Sequence, residues 1–236
     1  MKTLMAILLT YCISYTCSVI TTNRIVTPVS KKSLPDPYQM IDEGQALLQE
    51  GDLVVRLNQD PASRFIKNFN RHDKSYSHAG IVLFENGYPY VFHIVNGEEN
   101  PGERLRKDSL KQFCDPGKNT VYGIFRYEMR SGEINKLKSI IYKWYAQGIL
   151  FDSVFNLNTD DRMYCSEMVS KALMHATDDR IVIETTPLKT AEALAFSAYS
   201  HLPFSYTSRL KVISIDDLYM NSFCHLIKKY NYEKNN

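Results

Sequence analysis

The sequence predicts an α+β domain in which helices flank a mostly antiparallel sheet or a small barrel. Three observations favour this class. Strand-like segments follow one another through short turns, so antiparallel neighbours are expected. Helical segments with apolar stripes stand before, between and after them. The chain of 236 residues is 44% hydrophobic, which is enough for one packed core.

The first elements carry their own boundary signals. Residues 38–50 have helical spacing, and Gly51 is the expected stop. Residues 52–57 (DLVVRL) read as a strand. Asp60 and Pro61 form an N-cap and first-turn pair, which predicts a short helix directly after that strand.

A hairpin is predicted in the middle of the chain. Residues 79–84 (AGIVLF) and 88–95 (YPYVFHIV) are rich in β-branched and aromatic side chains. Asn86 and Gly87 separate them, and Asn-Gly is the preferred pair for a type I′ turn. The two segments are therefore expected to pair as neighbouring antiparallel strands.

The remaining elements continue the alternation of strands and helices. A further strand, a long helix with one apolar face and a late strand between two helices are predicted. These are the strand 119–127, the helix from Ile134 to Gly148, the helix led by Thr186-Pro187, the strand 209–215 and the helix led by Asp216-Asp217.

The N-terminus predicts a targeting segment. Residues 1–20 combine Lys2 with a short apolar run, which indicates a signal peptide or a lipoprotein signal; the alternative is an apolar terminus of a cytosolic protein. Residues 21–37 are rich in Thr, Ser, Lys and Pro and read as a linker, so that 38–236 would form a single hydrolase domain. The expected location is the cell envelope, periplasmic or secreted.

Cys17 is a candidate for lipid attachment. It stands where the acylated cysteine of a lipoprotein could lie, but the preceding Ser14-Tyr15-Thr16 match the usual pattern poorly. An acylated cysteine would tether the domain to a membrane surface without making it span the bilayer.

Composition argues against several classes of function. The net charge is +2 and no run of lysine and arginine exceeds two residues, so no nucleic-acid partner is expected. Five cysteines without a CxxC pair indicate neither a disulfide scaffold nor a zinc site, and a Cys114–Cys224 disulfide stays open. The remaining histidines match no metal-ligand spacing, and we expect no metal and no cofactor.

Cys165 is the candidate nucleophile. Asp160 and Asp161 can cap a helix whose apolar stripe begins at Met168, so Cys165 falls in or near the first turn. Unpaired N–H groups at a helix start stabilise a thiolate and lower the thiol pKa. The alternative is that Cys165 is a small core residue.

His78 and His93 are the candidate base and orienting group. The Asn-Gly hairpin brings the start of its first strand near the end of its second, which makes the two histidines cross-strand neighbours on one face. Two buried imidazoles both need partners, so the pair is unusual for a core. It suits a base held by a second ring, as a cysteine nucleophile requires.

Four short motifs resemble the NlpC superfamily of papain-like cysteine hydrolases. They are GDLVVRL, SHAGIVL, YVFHIVNG and YCSEMVSKAL, spread between Gly51 and Leu173. Here the cysteine motif follows the histidine motifs, an order similar to the circularly permuted, YiiX-like branch. That resemblance implies Cys165 as nucleophile, His78 as general base and His93 as the third residue. Permuted relatives often carry glutamate at the third position, so Glu98 and Glu99 are alternatives.

The resemblance implies a secreted or envelope hydrolase that cleaves an amide through a thioester acyl-enzyme. Its substrate would be a cell-wall peptide or a related amide; a lipid-directed amidase, esterase or acyltransferase is the alternative, favoured by a deep apolar pocket. An inactive envelope binding protein of the same shape is the alternative outside enzymes. Tyr164 could line the pocket or donate to the oxyanion, and the backbone N–H of Cys165 is the other expected donor.

Overall fold

A computed structural model of the chain describes residues 36–97 and 100–233. The predicted targeting segment, nearly all of the predicted linker, Cys17, Glu98 and Glu99 lie outside these residues. Within them, no helix combines the length and the apolar character that a membrane span needs.

Six strands form one antiparallel sheet with the order β10-β5-β1-β2-β3-β4. Two short ribbons, β6–β7 and β8–β9, lie apart from it. The strands are β1 Leu53–Asn58, β2 His78–Glu85, β3 Tyr88–His93, β4 Arg106–Ser109, β5 Asn119–Tyr127, β6 Leu150–Phe151, β7 Arg162–Met163, β8 Thr186–Pro187, β9 Lys211–Val212 and β10 Cys224–Asn231.

Helices cover both faces of the sheet, which confirms the predicted α+β class. The helices are α1 Pro37–Leu47, α2 Pro61–Ile66, α3 Leu110–Phe113, α4 Ser131–Gln147, α5 Cys165–Ala176, α6 Thr190–Ser200, α7 Phe204–Thr207 and α8 Ile215–Tyr219. A 3-10 turn, Lys67–Phe69, extends α2.

The two faces of the sheet have separate apolar cores. Alternate residues of β2 point to opposite faces. Ile81 packs in the larger core with residues of α4 and α5, whereas Val82 packs in the smaller core with residues of α1 and α3. We call these sides the α5 face and the α3 face. Because β1 and β2 are covered on both faces, their apolar residues are almost completely buried.

The hairpin turn has the predicted geometry. Asn86 and Gly87 both have positive φ, 52° and 83°, as a type I′ turn requires. The turn fixes a register in which Ile81 pairs with Phe92 and Val82 with Val91. This register brings the start of β2 to the end of β3.

Several other predicted boundaries agree with the structure. The Asp60 carboxylate accepts a hydrogen bond from Ser63 N at 2.8 Å and caps α2. The strand 119–127 is found over the same residues as β5. Gly148, with φ 65°, ends α4 in the left-handed conformation that favours glycine.

Other boundaries were predicted wrongly. The first helix ends at Leu47, before the expected stop at Gly51. Thr186-Pro187 do not open a helix: they pair with β9, and α6 begins at Thr190. Only Lys211–Val212 of the predicted strand 209–215 is paired, because its single partner strand has two residues.

Candidate active site

A cavity of about 960 Å³ opens where β2 begins. Its polar wall includes Arg56, His78 and Cys165, the last two being predicted site residues. Much of the remaining wall is apolar and comes from α2, α6 and the segment between β9 and α8. Apolar side chains on this wall are Ile66, Phe69, Phe155, Phe196, Val212 and Ile215.

Cys165 is the first residue of α5, as the sequence predicts. The capping prediction was wrong: Asp160 and Asp161 precede β7, because Arg162–Met163 pair with β6 before the helix starts. Tyr164 occupies the N-cap position, and its backbone N–H donates to the Glu167 carboxylate at 3.3 Å. The predicted buried stripe is observed, with no exposed surface on Met168, Val169, Ala172 and Leu173.

Nearby backbone amides favour the thiolate form of Cys165. They belong to Ala79, Ser166 and Cys165 itself. The surrounding protein nevertheless raises the pKa of the Cys165 thiol to about 11, because desolvation outweighs these amides and the charge of Arg56. The expected low pKa is therefore not found, and the resting thiol is protonated at neutral pH.

His78 and His93 are joined by a direct hydrogen bond. The distance from His78 Nε2 to His93 Nδ1 is 2.9 Å, and both residues are buried. Gly80 makes room for this contact, because a Cβ there would lie 3.0 Å from the Cβ of His93 and 2.6 Å from Val91 Cγ1. The predicted cross-strand proximity of the two histidines is thus observed.

Asp108 extends this pair into a relay that the sequence analysis missed. Its Oδ2 lies 3.0 Å from His93 Nε2, and its Oδ1 accepts from Arg106. The hydrogen bond from His93 and the charge of Arg106 keep the pKa of Asp108 below its usual value despite burial. Asp108 is therefore an acceptor at neutral pH.

The relay fixes the tautomers of both histidines. Burial lowers the pKa of His93 and lowers that of His78 well below 6.5, so both rings are neutral at pH 7. The Asp108 carboxylate accepts, so His93 Nε2 carries its proton and His93 Nδ1 accepts from His78 Nε2–H. The remaining nitrogen, Nδ1 of His78, is left unprotonated and can act as a base.

Cys165 and His78 approach the cavity from different faces of the sheet. His78 packs 5.5 Å from the Phe113 ring on the α3 face, whereas α5 covers the other face. Both side chains line the cavity, and the backbone amide of Ala79, the residue after His78, favours the Cys165 thiolate. Within residues 36–97 and 100–233, no hydrogen bond joins the thiol directly to the His78 ring.

Arg56 is a second residue of this site that sequence reasoning missed. It is 3% exposed, donates from Nη1 to the Phe113 carbonyl at 3.0 Å and lies 4.8 Å from the Phe113 ring centroid. Its charge contributes to the lowered pKa values of His78 and His93. The sequence shows only a single arginine within an apolar strand. It does not show whether that side chain is buried at a site or exposed on the surface.

Tyr164 lines the cavity and also holds the neighbouring chain. Its hydroxyl oxygen accepts from Ile213 N at 2.9 Å, and its ring stacks on Phe155 with centroids 4.5 Å apart. Burial raises the pKa of Tyr164 well above 10, so the hydroxyl stays protonated. These bonds show an anchoring role for Tyr164.

Residues 213–216 connect α5 to the segment that leads into His78; we call them the 213–216 clasp. On the helix side, Ser166 Oγ donates to the Ile213 carbonyl at 2.7 Å. On the other side, Ile215 N donates to Asn70 Oδ1 at 3.2 Å. The Asp216 carboxylate accepts three backbone N–H bonds, from Arg71, His72 and Asp73.

Comparison with known proteins agrees with this architecture. Residues 47–212 match the family described as permuted papain-like amidase enzymes, YaeF/YiiX, C92 family. The chain is 29% identical over 135 residues to the uncharacterized protein YiiX of Escherichia coli (strain K12), covering 56% of this chain and 61% of that protein. It thus spans less than two thirds of the length of this curated relative.

A solved structure supports the fold. The crystal structure described as the metalloprotein yiiX from Escherichia coli O157:H7 superposes with a TM-score of 0.62 at 23% sequence identity. The match covers 77% of this chain and 97% of that one.

Proposed function

The chain belongs to the YaeF/YiiX family of permuted papain-like amidases, and on this premise we propose that it is a cysteine amidase with Cys165 as its nucleophile. The observation that carries the proposal is that Cys165 lines one cavity with His78, the end of the hydrogen-bonded His78–His93–Asp108 relay. An inert core thiol has no need of a base at the same cavity, whereas an attacking thiol does.

His78 is the proposed general base. Its Nδ1 takes the thiol proton as the sulfur attacks the carbonyl carbon of the amide. The tetrahedral intermediate collapses to a thioester, and the leaving amine takes that proton. Water, deprotonated by His78, then attacks the thioester, so that the acid is released and the thiol restored. Because both groups are neutral at rest, proton transfer accompanies the attack and no stable ion pair precedes it.

His93 and Asp108 are the proposed orienting groups. Asp108 holds the proton on His93 Nε2, and His93 in turn holds the proton of His78 on Nε2. This leaves His78 Nδ1 free to take the thiol proton and, once that proton has passed to the leaving amine, a proton of the water. The N–H of Cys165 remains the proposed oxyanion donor, since the start of α5 fixes its direction.

Labelling with a thiol-directed vinyl sulfone tests the nucleophile. Cys114 is fully buried, and burial raises the pKa of Cys224 to about 12, so both are matched internal controls. We expect modification of Cys165 ahead of both, loss of that adduct in Cys165→Ser, and slower labelling in His78→Ala. Equal labelling of Cys165 and Cys224 would contradict an activated nucleophile and would favour an inactive binding protein.

The lining of the cavity favours a substrate with an apolar acyl chain over a cell-wall peptide. Phe69, Phe155 and Phe196 offer contacts to a hydrocarbon chain, and the cavity of about 960 Å³ is large enough to bury one. A long-chain N-acyl amide and a γ-glutamyl peptide, offered separately, distinguish the candidates. Release of fatty acid supports the lipid-directed amidase or esterase; release of an amino acid supports the peptidase.

A metal has no fitting site among the described residues. No three side chains of His, Cys, Asp or Glu within residues 36–97 and 100–233 are grouped to hold one. Both ring nitrogens of His93 are already bonded, to His78 and to Asp108. The related structure is described as a metalloprotein. The described residues of this chain do not fit a metal ion, and the proposed steps use no metal.

A further inference from the structure

Helices α6 and α7 present an exposed apolar surface beside the cavity. Positions 190–208 hold one acidic residue, Glu192, and one basic residue, His201. Four large apolar side chains stand out to solvent there, and we call them the α6–α7 surface. They are Leu194 at 60% exposure, Tyr199 at 47%, Phe204 at 42% and Tyr206 at 38%.

The α6–α7 surface stays exposed although the inner sides of both helices are packed. These inner sides bury Ala193, Phe196 and Thr207. Tyr199 also stacks on Phe65 with ring centroids 4.5 Å apart, and the Tyr206 hydroxyl donates to the Val154 carbonyl at 2.9 Å. All four side chains of the surface nevertheless remain exposed, and a cluster of exposed apolar groups is typical of a surface that meets a partner.

Basic residues border one end of the α6–α7 surface. Lys211 of β9 pairs with Pro187 of β8, Lys189 is the N-cap residue of α6, and Arg209 lies two residues before β9. All three side chains are exposed. The acid within α6, Glu192, is held by Arg71 Nη1 at 2.9 Å and so does not offset them.

We propose that the α6–α7 surface docks on a lipid bilayer that carries anionic headgroups. Apolar side chains can enter the headgroup boundary while a cationic rim attracts anionic lipid, and the two contributions add. The surface is continuous with the cavity, because Tyr199 is both exposed and part of the cavity wall. Docking would bring that wall to the lipid, whichever chemistry Cys165 performs.

A second copy of the chain fits this surface less well. Two copies meeting through the same patch would bring two sets of Lys189, Arg209 and Lys211 to one interface. Like charges in a partly desolvated contact repel, whereas anionic headgroups attract all three.

Site-specific fluorescence tests the docking. In full-length protein carrying Cys17→Ser and Trp144→Phe, which removes the one native tryptophan, Leu194→Trp places a reporter on the proposed surface, and Tyr88→Trp places a control at the exposed β2–β3 turn. Vesicles of phosphatidylglycerol and brominated phosphatidylcholine should quench and blue-shift the reporter at 194 and leave the control at 88 unchanged. Equal responses at both positions, or none at 194, would overturn the proposal.

Binding measurements test the charges and the apolar groups separately. Each of Lys189→Gln, Arg209→Gln and Lys211→Gln should weaken partition into phosphatidylglycerol-containing vesicles about fivefold. Leu194→Ser with Phe204→Ser should weaken it at least about tenfold. Unchanged partition in both sets would overturn the proposal. A doubled molecular mass in the absence of vesicles would also overturn the proposal if Leu194→Ser restores the mass of the monomer. A second copy of the chain would then occupy the surface.

Discussion

At the scale of single residues, the site depends on how two buried imidazoles are satisfied. Neutral His78 and His93 can each donate one hydrogen bond and accept one. Asp108 accepts at one end of the relay, so both ring N–H groups in it donate towards Asp108. The free acceptor is then His78 Nδ1. The Asp108 carboxylate lies on β4 opposite Val91, which is two residues from His93 in β3. Its position, and not the chemistry of the histidines alone, determines which ring nitrogen is left to act as the proposed base.

Substitutions along the relay should have graded effects on turnover. His78→Ala removes the base and should lower kcat/KM at least about 10²-fold. His93→Gln should do less harm than His93→Leu, because an amide can accept from His78 and donate to Asp108. Steady-state kinetics measures the order, with thermal melting as the check on folding. Equal activity in the Gln and Leu variants would mean that His93 does not orient His78.

Asp108→Asn tests the direction of the protons with almost no change in shape. An asparagine amide can donate to His93 Nε2, which would move the His93 proton to Nδ1 and the His78 proton to its own Nδ1. The base would then be in the wrong tautomer, so we expect kcat to fall at least about 10²-fold with KM little changed. An Asp108→Asn enzyme with full kcat would remove Asp108 from the relay.

The pH dependence of kcat/KM should distinguish a neutral pair from a resting ion pair. The base must be neutral to act, and burial lowers the pKa of His78 well below 6.5, so activity should persist below pH 6.5 before it falls. The thiol, with its pKa raised to about 11, stays protonated through pH 9, so no alkaline decline is expected there. A preformed thiolate–imidazolium pair would instead lose activity as its imidazolium deprotonates.

At the scale of elements, the 213–216 clasp holds the two halves of the site together. One end is bonded to α5 through Ser166, and the other to the loop before β2 through Asn70 and Asp216. The bonds to Asn70 and Arg71 join segments that are 145 positions apart in the chain, whereas Ser166 and Ile213 are 47 positions apart. The clasp therefore links α5 to the loop before β2 from outside the six-stranded sheet.

Asp216 should act as a positioning residue. Asp216→Ala removes the acceptor of three backbone N–H groups, and we expect kcat and the vinyl-sulfone labelling rate of Cys165 to fall about tenfold, because loss of several buried hydrogen bonds loosens the loop before His78. Asp216→Asn keeps one oxygen acceptor and should restore most of both rates. A destabilised Asp216→Ala protein with normal labelling at low temperature would limit Asp216 to folding.

The sequence predicted those elements whose signals are local. Asn86-Gly87 define a turn, Asp60-Pro61 define a helix start, and the stripe of α5 places Cys165 in its first turn. Asp108 could not be found in this way, because β4 is a short polar strand (RKDS) without the alternating apolar residues that mark a strand in a sequence. The prediction that Asp160 and Asp161 cap the helix failed because it could not include strand pairing. Arg162–Met163, which follow them, pair with β6, and the helix begins only after that strand.

At the scale of the whole molecule, Cys165 and His78 belong to elements that pack on different faces of the sheet. The strands with the histidines come first in the chain, and α5 packs afterwards on the face opposite α3. Both side chains line the cavity at the end of the sheet where β2 begins. The first residue of α5 is therefore placed beside this cavity, whereas the buried stripe further along the helix packs in the core.

The N-terminal region gives a prediction about the whole protein in the cell. We propose an envelope location with Cys17 acylated, from the signal-like residues 1–20. The wild-type protein should then sediment with membranes through a high-salt wash and carry a lipid-sized mass increment on Cys17. Cys17→Ser should lose the increment and keep only the salt-sensitive attachment that the α6–α7 surface provides, since apolar and electrostatic contacts at an interface are reversible. Combining Cys17→Ser with Lys189→Gln and Lys211→Gln should release the protein into the soluble fraction. Unmodified wild-type protein in that fraction would discard the anchor, whereas salt-resistant sedimentation of the Cys17→Ser protein would mean that attachment depends on neither feature.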